Sequence, residues 1–215
     1  MKLDGIVLLL SIVIFFCIMQ VKKTVENMED NNYVVLLGDS IFQNKKYVKP
    51  KNSVEYRLKN KINSMVLAQD DSMIKDISNQ YERLPKKLDN LNTYLFISVG
   101  GNDLLEIYKY GNVEVDNDEP LDFIFELYKK EINNLRKKTN CTMVLTDLYY
   151  ITDPEYKQFY PLIKKWNQKL YSFSKEKNIE VYKISNLVKN PQHFTNSIEP
   201  SSIGSRIIVD NIINF

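Results

Sequence analysis

Five apolar runs of strand length, separated by stretches with helical period, leave this chain little choice of architecture. The runs are Val34 to Leu37, Met65 to Ala68, Tyr94 to Val99, Thr142 to Thr146 and Ile179 to Ile184. Between and after them, helix-period segments lie near Val54 to Ile62 and Ile74 to Leu84, around Leu121 to Lys138, from Glu155 to Lys177 and from Ser201 to Ile213. A continuous apolar run marks a strand covered on both faces, and strands alternating with helices pair in parallel. Right-handed crossovers then predict an α/β fold: a three-layer α/β/α sandwich, flavodoxin-like, with a five-stranded parallel sheet in the order 2-1-3-4-5. That order sets the first and third strands side by side. Residues 33–215 suffice for one domain with one core, and no internal repeat or low-complexity tract interrupts them.

The two neighbouring strands end in chemistry-bearing residues. Val34-Val35-Leu36-Leu37 runs into Gly38-Asp39-Ser40, and Leu95-Phe96-Ile97-Ser98-Val99 runs into Gly100-Gly101-Asn102-Asp103. Ligands of open α/β sheets bind at the carboxyl ends of the strands, so a serine hydroxyl and an amide donor are expected at one rim. Alone, each string is an ordinary turn, loop or helix cap; their joint placement carries the reading.

Composition narrows the partners. Net charge is +2 and the lysines are scattered, which argues against nucleic acid. The single histidine, His193, excludes a multi-histidine metal site, and no cysteine or carboxylate cluster has ligand spacing, so neither metal nor cofactor is expected. Cys17 and Cys141 read as free thiols. Ile6 to Met19 is unbroken by charge or proline, and Gly5 to Val21 matches the shortest span of ~17 residues that crosses a bilayer. The expected organisation is a single-pass N-terminal membrane anchor at 1–22, a polar linker at 23–32 and a domain at 33–215. A cleaved signal peptide is the rival, supported by Lys2 but lacking a small-x-small cleavage site. Lys22 and Lys23 oppose Lys2 and the amino terminus, and leave the side of the membrane open.

Gly38-Asp39-Ser40 and Gly100-x-Asn102-Asp103 resemble the first and third signature blocks of the SGNH (GDSL) hydrolases, a family of esterases and lipases. The resemblance extends over Tyr33 to Phe215, through Asn196-Ser197-Ile198-Glu199-Pro200-Ser201-Ser202-Ile203-Gly204, where the family carries Asp-x-x-His, Pro-Ser, a glycine and an apolar helix. It implies Ser40 as nucleophile, with the Ser40 N–H and the Asn102 amide in an oxyanion hole. Asp39 is expected to fix the turn through backbone hydrogen bonds. Three positions depart from the family pattern: Glu199 stands at the histidine, Asn196 at the aspartate, and Asp71 at the second-block glycine, where an inward carboxylate would oppose acyl transfer. Leu36-Leu37-Gly38-Asp39-Ser40-Ile41-Phe42-x-Asn44 together with Asn196-x-Ile198-Glu199-Pro200-Ser201 looks like a subgroup with glutamate at the histidine position.

A glutamate whose pKa is raised by burial can serve as the base. His193, six residues earlier, is a competing base; a lone histidine in a polar loop is usually a surface residue. Tyr149, Tyr150, Tyr156 and Tyr160 line a pocket or simply pack. The leading reading is a membrane-anchored esterase acting on a small-molecule ester or acylated glycan. The alternatives are an inactive binding protein of the same fold and a plain tethered interaction domain.

Overall fold

The computed structural model describes residues 32–215; the expected anchor, the linker up to residue 31 and Cys17 lie outside the described residues. Strands β1 (Tyr33–Gly38), β2 (Ser64–Val66), β3 (Thr93–Ser98), β4 (Thr142–Thr146) and β5 (Glu180–Tyr182) form one sheet. Its order is β2-β1-β3-β4-β5, with every neighbouring pair parallel, as the pattern of apolar runs predicts. β1 and β3 pair from Tyr33–Thr93 to Gly38–Ser98, so the two strands end at the same level.

Among the described residues, six α-helices flank the sheet: α1 (Val54–Lys59), α2 (Ile77–Tyr81), α3 (Gly101–Leu105), α4 (Glu119–Lys138), α5 (Tyr160–Lys177) and α6 (Ser202–Ile213). α1 packs on α6, while α4 packs on α2, α3 and α5. Phe96 meets Phe215, just beyond α6, edge-on at 5.4 Å between ring centroids. Side chains alternate along a strand, so Leu95 and Ile97 point to the other face. There Phe125 and Tyr128 of α4 pack edge-on against Trp166 of α5. Val35, Leu36, Leu37, Leu95, Ile97, Val144 and Leu145 are wholly excluded from solvent, as expected of strands covered on both faces.

Several boundaries differ from the sequence expectation. The stretch Pro154–Phe159 is 3₁₀ and α5 begins only at Tyr160, with Pro161 in its first turn. Pro161 has no N–H to continue a helix from upstream, whereas its fixed φ suits a helix start. α1 stops at Lys59, and Ser201 is the cap of α6, its hydroxyl accepting from Ile203 N and Gly204 N. Two features carry no periodic signal in the sequence. α3 runs on as a π-helical turn, Glu106–Tyr110, and a two-residue-stranded hairpin pairs β6 (Phe194–Thr195) with β7 (Glu199–Pro200).

Candidate active site

Ser40 is positioned by a strand end that only glycine can make. Gly38 has φ 130°, and a Cβ there would lie 1.8 Å from the Ser98 carbonyl oxygen of β3. Asp39 then folds the chain over: its Oδ1 accepts from Ile41 N at 3.1 Å, and its carbonyl accepts from Phe42 N and Gln43 N. Asp39 is therefore the turn former the sequence suggests, and it is buried. Just beyond β3, Gly100 has φ 112° and sits where a Cβ would strike the Trp166 ring at 2.3 Å. The chain reverses into α3, which carries Asn102 and Asp103 in its first turn.

Side chains tie the three strand ends together. Gln80 of α2 brackets Gly38, accepting from its N–H at 2.7 Å and donating to its carbonyl at 2.8 Å and to Ser72 Oγ at 2.9 Å. Asn102 Nδ2 donates to the Ser72 carbonyl at 3.0 Å, and both Asp103 oxygens accept from Ile74 N, at 3.3 and 3.2 Å. Asn102 thus spends one amide proton on the β2 end and keeps a second. Gln80 escapes the sequence reading; its one signal is a polar residue three positions after Ile77 on a helix face that is otherwise buried.

Glu199 comes to Ser40 on the β6–β7 hairpin, which is held from both sides. The Tyr149 hydroxyl donates to the Ile198 carbonyl at 2.8 Å. Asn44, wholly buried, donates to the Pro200 carbonyl at 2.9 Å and to Ser205 Oγ at 2.6 Å, and accepts from Val54 N at 3.0 Å. The Glu199 carboxyl lies close enough to the Ser40 hydroxyl for that group to favour its ionisation. Burial outweighs it, and the charges of Asp70 and Asp71 add to burial, so its pKa rises to about 7. Its Oε2 is buried with no hydrogen-bond partner, which also disfavours the charged form. Asp39 is pushed up to about 8, chiefly by burial and further by Glu199 and Asp103; Asp103 is raised to about 6, again chiefly by burial. Near neutral pH this is a set of carboxyls that do not all ionise together.

The remaining expected residues fall elsewhere. Asp71 has φ 62°, a left-handed backbone that glycine adopts freely and aspartate tolerates, and it is exposed to solvent while its charge still acts on Glu199. Neighbouring Asp70 accepts from Lys46 and from the Tyr47 hydroxyl. Asn196 and Ser197, at φ 48° and 67°, form the hairpin turn, and the Asn196 side chain is exposed. It shapes the hairpin and does not stand behind Glu199 as a third triad member. His193 is a correction: it is buried, not on the surface, because its Nδ1 accepts from Lys189 N at 3.3 Å and its carbonyl accepts from Ser201 N. Burial lowers its pKa, so it is a neutral structural residue of the loop before β6.

A narrow cavity of about 70 Å³ opens beside Ser40 and Asn102, walled by Leu148, Tyr149, Tyr156, Phe159, Leu162 and Ile163. Two of the tyrosines singled out in the sequence are thus at the site. Among the described residues, no three His, Cys, Asp or Glu side chains gather as a metal ion needs. No helix among them is long and apolar enough to cross a membrane.

No protein-family model matches this sequence, and no curated relative does. Solved structures do match the fold. A lipolytic protein of the G-D-S-L family from Veillonella parvula superposes with a TM-score of 0.65 at 14% identity, over 85% of this chain and 96% of that one. A putative lipolytic G-D-S-L protein from Desulfitobacterium hafniense gives 0.62 at 17%, over 85% and 98%. An acetyl xylan esterase from Geobacillus stearothermophilus gives 0.62 at 12%, over 85% and 93%. Residues 33–215 therefore have the fold that these lipolytic and esterase structures share.

Proposed function

We propose that this protein is a serine ester hydrolase of the SGNH type in which a glutamate replaces the histidine. The feature that carries the reading is the proximity of a half-buried Glu199 carboxyl, its pKa raised to about 7 by burial, to the Ser40 hydroxyl after β1. Glu199 takes the Ser40 proton as Oγ attacks the ester carbonyl carbon. The Ser40 N–H and the free Asn102 amide proton stabilise the oxyanion. The C–O bond to the alcohol then breaks, Glu199 returns the proton to the departing oxygen, and water repeats the sequence on the acyl-enzyme. Asp39, protonated below about pH 8, adds no second negative charge beside the developing oxyanion. Gln80 and Asn44 act as positioning residues, the first for the Ser40 turn and the second for Glu199. Residues 1–22, by their sequence, hold the domain to a membrane.

A fluorophosphonate probe tests the reading on the full chain. Labelling that disappears in Ser40→Ala and falls steeply in Glu199→Gln is the expected result. Absence of labelling in folded wild-type protein refutes it in favour of a binding protein, and recovery of the chain in the soluble fraction without detergent refutes the anchor.

A further inference from the structure

We infer that the cavity between α3 and the segment Leu148–Ile163 is an acyl subsite for a short, uncharged alkyl tail of about two to four carbons; this rests on the serine-hydrolase reading of Ser40. The orientation follows from which groups line which side of the serine. Ser40, Asn102 and Asp39, whose Oδ1 is engaged by Ile41 N, border the cavity, but Glu199, Tyr47, Asp70 and Asp71 do not. The departing alcohol must collect its proton from Glu199, so its oxygen lies on the side of Glu199 and the acyl tail points away from it. What lies in that direction is the apolar cavity.

The wall chemistry sets what enters. Leu148, Phe159, Leu162 and Ile163 are all at least nine-tenths buried and offer no hydrogen bond. Tyr149 spends its hydroxyl proton on the Ile198 carbonyl, and the Tyr156 hydroxyl is engaged by Lys109 Nζ at 2.6 Å, so both tyrosine hydroxyls already have partners within the protein. A charged or hydroxylated tail would lose its hydration without a partner. At about 70 Å³ the space is about half of the ~150 Å³ that admits a benzene ring in an apolar protein cavity. A propyl tail fits that volume and an octyl tail does not.

The test compares p-nitrophenyl acetate, butyrate and octanoate on the full chain. Burial of each methylene contributes about fourfold in kcat/KM until the cavity is full. Butyrate, two methylenes longer, should exceed acetate by about 16-fold, with octanoate at least about tenfold below butyrate. Phe159→Ala, or the milder Ile163→Val if the first does not fold, should move the optimum to longer chains while a thermal melt reports a folded protein. Octanoate turned over as fast as butyrate, or an optimum unmoved in the folded variant, overturns the subsite. Should no ester react, butyramide and octanamide binding to Ser40→Ala, read by ligand-observed NMR, decides. Butyramide binding with octanamide excluded supports the subsite and refutes the serine chemistry; equal binding or none overturns the subsite.

Discussion

Replacing Glu199 by glutamine should remove activity and, above neutral pH, make the protein more stable. Glutamine keeps the shape and an acceptor for the Ser40 hydroxyl but cannot take a proton. The Glu199 pKa rises from the ordinary 4.5 to about 7, and a shift of that size corresponds to about 3 kcal/mol against the ionised carboxylate in the fold. For an acid raised on folding, the native state binds the extra proton. Wild-type stability is therefore fully present below about pH 4.5 and is lost as the pH rises through about 7. Urea titrations should find Glu199→Gln close to wild type at pH 4 and up to about 3 kcal/mol more stable at pH 8.5, an upper bound because Asp39 and Asp103 titrate alongside. In the same protein kcat should fall by about 10²–10⁴, the usual contribution of a positioned base. The wild-type rise in kcat/KM through about pH 7 should vanish. A variant that keeps the pH 7 limb, or that loses as much stability at pH 8.5 as at pH 4, would refute both the base and its burial as the cause.

Other consequences are as direct. Asn44→Ala leaves Val54 N–H and the Pro200 carbonyl without their partner; denaturation should register a loss of about 2–5 kcal/mol, and kcat should drop because Glu199 adjoins Pro200. Gly38→Ala should yield no folded protein, since its Cβ would meet backbone at 1.8 Å, whereas Gly101→Ala, with only Leu148 Cδ2 nearby at 3.7 Å, should fold normally by circular dichroism. His193→Gln should lower stability by about 1–2 kcal/mol through its buried contacts and leave the pH 7 limb of activity where it is; a shifted limb would make the imidazole the base.

The strands and their order were legible because each apolar run buries both faces, and a parallel sheet leaves few alternatives once five such runs alternate with helices. Ser40 and Asn102 followed from the same pattern, since neighbouring parallel strands must end at a common rim. Local sequence is a poorer guide to short elements. The β6–β7 hairpin has too few residues for a period, and α3 with its π-helical turn passes for a loop. At Pro161 the missing N–H, not hydrophobic pattern, decides where α5 begins.

The linear sequence by itself determined the sheet, the strand-end glycines and the identity of the residues at the rim, because these depend on periodicity and on backbone conformations few residues adopt. Only the tertiary structure decided what those residues meet. The orientation of Glu199 depends on Tyr149 and Asn44, which lie 49 and 156 residues away from their hairpin partners along the chain. The same packing leaves Asp71 and Asn196 exposed and buries His193. It also sets the carboxyl pKa values, since burial is a property of the assembled fold and no sequence interval encodes it.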